Sequence, residues 1–257
     1  MYLGIDVGSV STDAVLLDDN CKIIASSVVC SGFDHAKAIQ LATNNVCTLA
    51  EIDYHDIKAI VSTGYGRRTV KNASKTITEI SCHAKGMHYQ NKDIRMLIDI
   101  GGQDSKIILL GKDGDVKTFI MNDKCAAGTG RFLEVMAHAM GVDISLFGEI
   151  SANASKAQSI NNVCTVFAET EVISLIAQGF PKEEIIAGIH KAVADRVLNM
   201  ASSIGLVTPV ALSGGVAKNL GIIKVIRQKI GEEVYIPHNP QIIGAIGAAL
   251  YARNIKK

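Results

Sequence analysis

The sequence predicts an α/β protein built as two lobes, and three observations carry that prediction. A strand–aspartate–glycine turn–strand motif occurs twice, once around Asp6 and once around Asp99. Strand-like and helix-like segments alternate along the chain. A length of 257 residues leaves room for one large domain or two lobes of ordinary size.

The first copy of the motif reads Leu3-Gly4-Ile5-Asp6-Val7-Gly8-Ser9-Val10-Ser11-Thr12, then Asp13-Ala14-Val15-Leu16-Leu17. The second reads Leu97-Ile98-Asp99-Ile100-Gly101-Gly102-Gln103-Asp104-Ser105, then Lys106-Ile107-Ile108-Leu109-Leu110. Aligning Asp6 with Asp99 sets Gly8 on Gly101 and polar loop on polar loop. Glycine lets a backbone approach phosphate closely, and successive turn N–H groups form an anion nest. A neighbouring Asp can hold magnesium, usually through water. Two such hairpins facing each other would grip one nucleoside triphosphate. The plain alternative is a pair of ordinary hairpins, and two matched copies favour the functional reading.

The remaining elements follow in order. An Asp18-Asp19-Asn20 turn leads to a third strand over 22–29. Ala38, Leu41, Ala42, Val46 and Leu49 repeat at helical spacing within 34–50. Residues 57–63 form a strand, and Gly64-Tyr65-Gly66-Arg67-Arg68 a loop. The pattern restarts near residue 94. The expected division is a first lobe over 1–93 and a second over 94–241, with a C-terminal helix over about 242–257 packing back on the first.

In the second lobe a strand is expected over 117–121, running into Asn122-Asp123-Lys124-Cys125-Ala126-Ala127-Gly128-Thr129-Gly130. A helix over 131–140 has Phe132, Val135, Met136 and Ala139 on one side. Further helices are expected over 163–177, starting around Cys164, and over 183–204. Residues 209–212 form a strand ended by Ser213-Gly214-Gly215, and another helix follows Asn219. A short strand over 233–236 precedes Pro237-His238-Asn239-Pro240. The last helix, from Ile242 to Arg253, is rich in glycine and alanine, and close helix packing is the simplest reason for that.

Hydrophobic residues make up 48% of the chain and charged residues 20%, a globular composition. Lys and Arg number 26 against 25 Asp and Glu, so a general nucleic-acid binder is not expected. No apolar run is long enough to span a membrane. The start lacks the pattern of a secretory signal, so a cytoplasmic location is expected. The six cysteines form no C-x-x-C pair, and in such a chain disulfides are not expected. There is no Walker sequence. Gly128-Thr129-Gly130 begins like a dinucleotide-binding fingerprint, but Leu133 stands where its last glycine belongs.

The paired hairpins and the late Ser213-Gly214-Gly215 resemble the superfamily of sugar kinases, heat-shock chaperones and actin. That resemblance implies two RNase H-like lobes with ATP in the interlobe cleft. It makes Asp6, Gly8, Ser9, Ser11 and Thr12 the first phosphate loop, and Asp99, Gly101, Gly102, Gln103, Asp104 and Lys106 the second. Ser213, Gly214, Gly215 and Asn219 become the adenosine segment. Asp6 and Asp99 would organise Mg2+, and Gln103 would orient the attacking water.

The stretches 99–106, 121–132, 164–169 and 213–219 together resemble, more narrowly, the activator ATPases of 2-hydroxyacyl-CoA dehydratases, of the BadF/BadG/BcrA/BcrD type. Such activators are homodimers sharing one [4Fe-4S] cluster, with two cysteine ligands from each chain, here Cys125 and Cys164. The resemblance implies ATP hydrolysis coupled to one-electron transfer under anaerobic conditions. The electron would come from a ferredoxin or flavodoxin and pass to an iron–sulfur dehydratase or reductase. A four-thiolate cluster suits two chains offering two thiols each. A thiolate gains at a helix start, where both cysteines are expected, and Gly128 and Gly130 would let N–H groups reach the sulfurs. Buried core cysteines or a four-cysteine zinc site are the alternatives, and Cys21, Cys30, Cys47 and Cys82 have no such context. A small-molecule kinase and a non-catalytic ATP-binding regulator are the other classes open at this stage. In these activators a Lys commonly stands where this chain has Asp13, and Lys106 holds the matching place in the second copy.

Overall fold

A computed structural model describes residues 1–255; residues 256 and 257 of the helix expected over 242–257 lie outside them. The chain forms two compact units. Unit 1 comprises Met1–Ile94, Leu110–Lys117 and His238–Lys257, and unit 2 comprises Arg95–Leu109 and Thr118–Pro237.

The first sheet contains β1 (Tyr2–Val7), β2 (Ser11–Leu17), β3 (Ile23–Cys30), β4 (Ala59–Thr63) and β5 (Lys75–Thr76). Their order is β3-β2-β1-β4-β5. β1 and β2 are antiparallel, with Asp6 opposite Asp13, and β1 runs parallel to β4. The side-chain alternation of a strand explains how β1 is covered on both faces. Leu3, Ile5 and Val7 pack with Ala42 and Val46 of α1 (His35–Leu49). The other face meets the C-terminal helix, numbered α8 below (Ile243–Arg253), on which α2 (Glu79–Gln90) packs.

Glycines set that second packing. A Cβ on Gly4 would overlap the backbone of Ala245 and Ala249, and one on Gly86 would overlap Ile243. A Cβ on Gly247 would overlap the backbone of Cys82. The small-residue stripe of α8 therefore lets helix backbone lie directly on strand and on α2. The helix α2 has no counterpart in the pattern-based expectations. Its signals are present nonetheless: Thr78 caps it by accepting from the Ser81 N–H, and Cys82, His83, Gly86 and Met87 form its buried stripe.

The second sheet contains β6 (Met96–Ile100), β7 (Ser105–Leu110), β8 (Val116–Asn122), β9 (Val210–Ser213) and β10 (Val234–Tyr235), in the order β10-β9-β6-β7-β8. Counted within each sheet, both orders are 3-2-1-4-5, so each has the RNase H-like arrangement. The match extends to register: Asp6 pairs with Thr63, and Asp99 with Ser213. The residues that follow, Gly64 and Gly214, share a φ of 86°.

Helices α3 (Gly130–Met140), α4 (Phe147–Ser151), α5 (Thr165–Ala177), α6 (Lys182–Ser203) and α7 (Leu220–Ile230) complete unit 2. Their core joins Ile98, Phe132, Met136, Ile189, Val193 and Leu212. On α3 the buried stripe is Phe132, Leu133, Met136 and Ala137, with Leu133 and Ala137 in place of the expected Val135 and Ala139, which are half-buried. Leu133 and Ala137 complete the same i, i+1, i+4, i+5 spacing, and only the neighbouring elements decide which edge of the stripe is covered. Among the described residues no helix is long and apolar enough to cross a membrane.

The close approach of α8 makes Gly247→Val a sharp test of this packing. The added side chain has no space beside Cys82, and overpacking of this kind costs about 1–3 kcal/mol or more. Urea denaturation should show a lowered midpoint, whereas an unchanged midpoint would contradict the direct backbone contact.

Candidate functional site

Both hairpins close in the same way. The Gly8 N–H donates to the Ser11 carbonyl at 2.9 Å, and the Gly101 N–H donates to the Asp104 carbonyl at 2.9 Å. A Cβ on Gly8 would lie 2.8 Å from the Ser11 carbonyl oxygen, and one on Gly101 would lie 2.7 Å from Asp104 Oδ1. Glycine is thus required by the turn itself, and the backbone at each turn stays bare.

In unit 1, Asp6 is a buried carboxylate one residue before the end of β1. Ser9 is half-buried in the turn and Ser11 donates to Asp13 Oδ2 at 3.1 Å. Thr12 lies beneath the loop. Ser31 Oγ donates to the Gly8 carbonyl at 2.7 Å, so the Thr12 hydroxyl, 2.9 Å from Ser31 Oγ, donates to it in turn. That chain holds the turn from behind.

Unit 2 gathers a buried charge cluster. Ser213 Oγ donates to Asp99 Oδ1 at 2.6 Å. Lys106 Nζ lies 3.3 Å from Asp99 Oδ2 and 2.9 Å from Asp104 Oδ2, and Lys106 is only 1% exposed. The cross-strand register that places Asp13 opposite Asp6 here places Lys106 opposite Asp99. Removing one partner from a buried pair of this kind costs about 3–5 kcal/mol, because a charge is left uncompensated. Lys106 therefore bridges two carboxylates, leaving the cluster one net negative charge, besides lying at the phosphate loop expected from the sequence. Gln103 is exposed at the turn. Gly214 is held by its neighbours, since a Cβ there would overlap the Ile100 backbone. Gly215 is exposed and opens a short 3-10 turn over Gly215–Lys218. The Asn219 side chain caps α7, accepting from the Gly221 and Ile222 N–H groups at 2.9 and 3.2 Å.

The two cysteine segments meet within unit 2. Cys125 Sγ lies 3.4 Å from the carbonyl oxygen of Val163, the residue before Cys164. Each loop is pinned by an asparagine. Asn122 Nδ2 donates to the carbonyls of Cys125 and Ala127 at 2.8 and 3.0 Å. Asn161 Oδ1 accepts from the Val163 and Cys164 N–H groups, both at 2.9 Å. Cys164 is the N-cap of α5, as its expected helix start requires. Cys125 is not at a helix start: a turn closed by the Thr129 N–H on the Ala126 carbonyl, with Gly128 at φ 83°, delays α3 to Gly130.

The Gly130 N–H also points elsewhere than expected. It donates to the Gly101 carbonyl at 2.9 Å, and the Arg131 N–H donates to the Gly102 carbonyl at 2.7 Å. The helix that follows the Cys125 loop is therefore joined by its backbone to the second hairpin. Both thiols are half-buried, open enough to be reached from outside the chain. By contrast, burial pushes the Cys82 thiol up to about 12, which leaves it an inert core residue.

Exposed apolar side chains flank the cysteine segments in the chain. Phe119 and Met121 on β8 are 50% and 40% exposed, and Val163, Val166 and Phe167 are 61–65% exposed. Ile173 and Ile176 continue this exposed face along α5, which buries only Ala168 and Val172. A patch of this kind on a folded chain marks an interaction surface.

Over residues 3–252 the chain matches the BadF/BadG/BcrA/BcrD ATPase family. It is 46% identical over 253 residues to the activator of lactoyl-CoA dehydratase of Anaerotignum propionicum, covering 98% of this chain and 97% of that one. A solved activator of the 2-hydroxyisocaproyl-CoA dehydratase from Clostridium difficile, with bound ADPNP, is 44% identical with a TM-score of 0.93, covering 99% and 95% of the two chains. Component A of the (R)-2-hydroxyglutaryl-CoA dehydratase of Acidaminococcus fermentans is 42% identical with a TM-score of 0.95, covering 98% and 97%.

Asn219 also ties α7 to α6. Its cap fixes the amide orientation, so Nδ2 faces His190 Nε2 at 3.1 Å and donates to it. Burial holds the imidazole neutral and pushes its pKa down to about 4. Because the folded pKa lies below the unfolded value of 6.5, this contribution to stability is fully present above that value. It is lost as pH falls toward about 4, by on the order of 3 kcal/mol at about 1.4 kcal/mol per unit. His190→Gln should flatten the fall in urea midpoint between those pH values; an equally steep fall in the variant would contradict a neutral, buried His190.

Proposed function

The chain belongs to the BadF/BadG/BcrA/BcrD ATPase family, and from that premise we propose that it is a homodimeric ATPase that delivers one low-potential electron to an iron–sulfur enzyme of the 2-hydroxyacyl-CoA dehydratase type. The observation that carries the proposal is the backbone connection from Gly101 and Gly102 to Gly130 and Arg131. It ties a phosphate-type hairpin to the segment bearing Cys125. A kinase acting on a small molecule has no use for the paired thiols.

The residues divide by chemistry. The bare turns at Gly8 and Gly101, with Ser9, Ser11 and Gly102, suit phosphate oxygens approached by N–H groups and hydroxyls. Thr12 supports the first turn from below. Asp6 and Asp99 would hold Mg2+ through water, and the ion would neutralise phosphate charge when bound. Lys106 keeps Asp99 and Asp104 in place, and Gln103, at the turn surface, is free to orient water. Ser213, Gly214, Gly215 and Asn219 form the adenosine segment, with Ser213 fixing Asp99 as well.

Cys125 and Cys164 fit a thiolate-ligated centre. They come from loops braced by Asn122 and Asn161 that meet where Cys125 Sγ approaches the Val163 carbonyl, and one chain would supply two of the four thiolates such a centre takes. The exposed apolar residues that flank them in the chain suit a second copy of the chain supplying the other two. A [4Fe-4S] cluster held there would store the electron. When nucleotide state moves the Gly101–Gly102 turn, the α3 start moves with it, and so does the loop holding Cys125. Such coupling alters the affinity for donor or acceptor only if the nucleotide states differ in that geometry. A ferredoxin or flavodoxin is the donor that fits this scheme. A benzoyl-CoA reductase-type or double-cubane protein would be an acceptor of the same chemistry.

Purification without oxygen, with iron, sulfide, ATPase activity and oligomeric state measured together, tests this directly. Cys125→Ala and Cys164→Ala should each lose nearly all iron and sulfide while still binding ATP. Full iron in either variant would remove that cysteine from the ligand set.

Asp99→Asn should reduce ATP turnover at least about 100-fold, the scale of losing a preorganised charge at a phosphoryl centre. Gln103→Ala should slow turnover with nucleotide affinity nearly unchanged. Lost affinity with unaltered turnover of bound ATP would move Gln103 from water positioning to binding.

A further inference from the structure

A second group of ligand-type side chains lies within unit 1. Strand alternation turns Asp6 to the α8 face of β1, and α2 presents Glu79 and His83 there. A carboxylate oxygen of Asp6, a carboxylate oxygen of Glu79 and a ring nitrogen of His83 all lie within 4.8 Å of one another. Asp6 is 6% exposed and His83 4% exposed, while Glu79 is half-buried. Asp13 stands opposite Asp6 across the ribbon and is also buried, which adds a further carboxylate on the same face. Several carboxylates gathered out of water favour a cation among them.

The imidazole is arranged as a ligand. Its Nδ1 lies 3.0 Å from the backbone carbonyl of Glu79, one turn earlier on α2. A carbonyl only accepts, so Nδ1 carries the hydrogen and Nε2 is the nitrogen a metal would take. A backbone acceptor behind the ring is the support that metal-binding histidines use. Two glycines let backbone pack closely beside the carboxylate. A Cβ on Gly64 would overlap Asp6 Oδ1, and one on Gly244 would overlap Oδ2 while lying 2.8 Å from His83 Cε1.

We propose that Asp6, Glu79 and His83 bind one divalent transition ion, such as Mn2+, without nucleotide. Two oxygens and one imidazole nitrogen suit a borderline metal, with water completing its shell. This site goes beyond the ATPase reading, although it shares Asp6 with it: an ion held there would fix the carboxylate beside the first phosphate turn.

The test is titration of the anaerobically purified, metal-stripped protein with Mn2+ alone, followed by electron paramagnetic resonance. One Mn2+ should bind per chain, and electron spin echo modulation should show a directly bonded nitrogen. Glu79→Gln and His83→Gln should each weaken binding at least tenfold, and His83→Gln should remove the nitrogen signal. No stoichiometric binding would overturn the proposal and indicate that a protonated His83 is itself the balancing cation. Binding without nitrogen coupling, or binding unchanged in Glu79→Gln, would also overturn it. If His83→Gln does not fold, the nitrogen signal of the unsubstituted protein and the Glu79→Gln titration still decide. ATP binding with Mg2+, measured separately by calorimetry, tests the ATPase reading, so either proposal can fail without the other.

Discussion

Two backbone hydrogen bonds, from Gly130 to Gly101 and from Arg131 to Gly102, are the constraint on which unit 2 depends. The carbonyls of a tight glycine turn have few ways of being satisfied. Here they are satisfied by two of the N–H groups that a helix start leaves without intrahelical partners. The turn and the helix each complete the other, so neither moves alone. A Cβ on Gly130 would lie 3.2 Å from both the Gly101 carbonyl oxygen and the Gly102 Cα, and glycine is what permits the approach. The Cys125 loop inherits its position from this joint and from Asn122.

The buried polar group beneath the second hairpin is held by one shared cation and a hydroxyl, and it keeps one net negative charge. Asp99 accepts from Ser213 and faces Lys106, and Lys106 also reaches Asp104. A network of this kind is stable only when its members are all satisfied. That condition explains why strand end, hairpin and Ser213 belong to one rigid piece. The first hairpin solves the same topological problem with different chemistry. Thr63 takes the place of Ser213, Asp13 the place of Lys106, and the cation is absent from the matching position. The repeat is conserved in backbone and divergent in charge. That divergence makes the Asp6 surroundings more acidic and gives Glu79 and His83 their significance.

Much of this was legible in the sequence. The α/β class, the two hairpins and the family followed from residues 3–17, 97–110, 121–132 and 213–219, because turn glycines and strand-end carboxylates are local requirements of the backbone. The small-residue face of the last helix was legible as a close-packing stripe for the same reason. The helix α2 was missed. Its alternating polar and small residues carry a weak apolar signal, since its buried positions include Cys82, His83 and Gly86. The placement of Cys125 at a helix start was wrong because the Ala126–Thr129 turn is held by contacts within the loop that spacing does not encode.

The sequence by itself determined which residues are glycine at the turns, which strands carry an aspartate near their end, and which segments carry paired thiols. Those are properties of a residue and its near neighbours, and a one-dimensional pattern carries them. Only the tertiary structure decided what each group touches. It brought Val163 to Cys125, Gly101 to Gly130, Lys106 to both Asp99 and Asp104, and Glu79 and His83 to Asp6. Several of these partners come from elements far apart in the chain, and their meeting depends on sheet order, register and the depth to which glycine-bearing backbones pack.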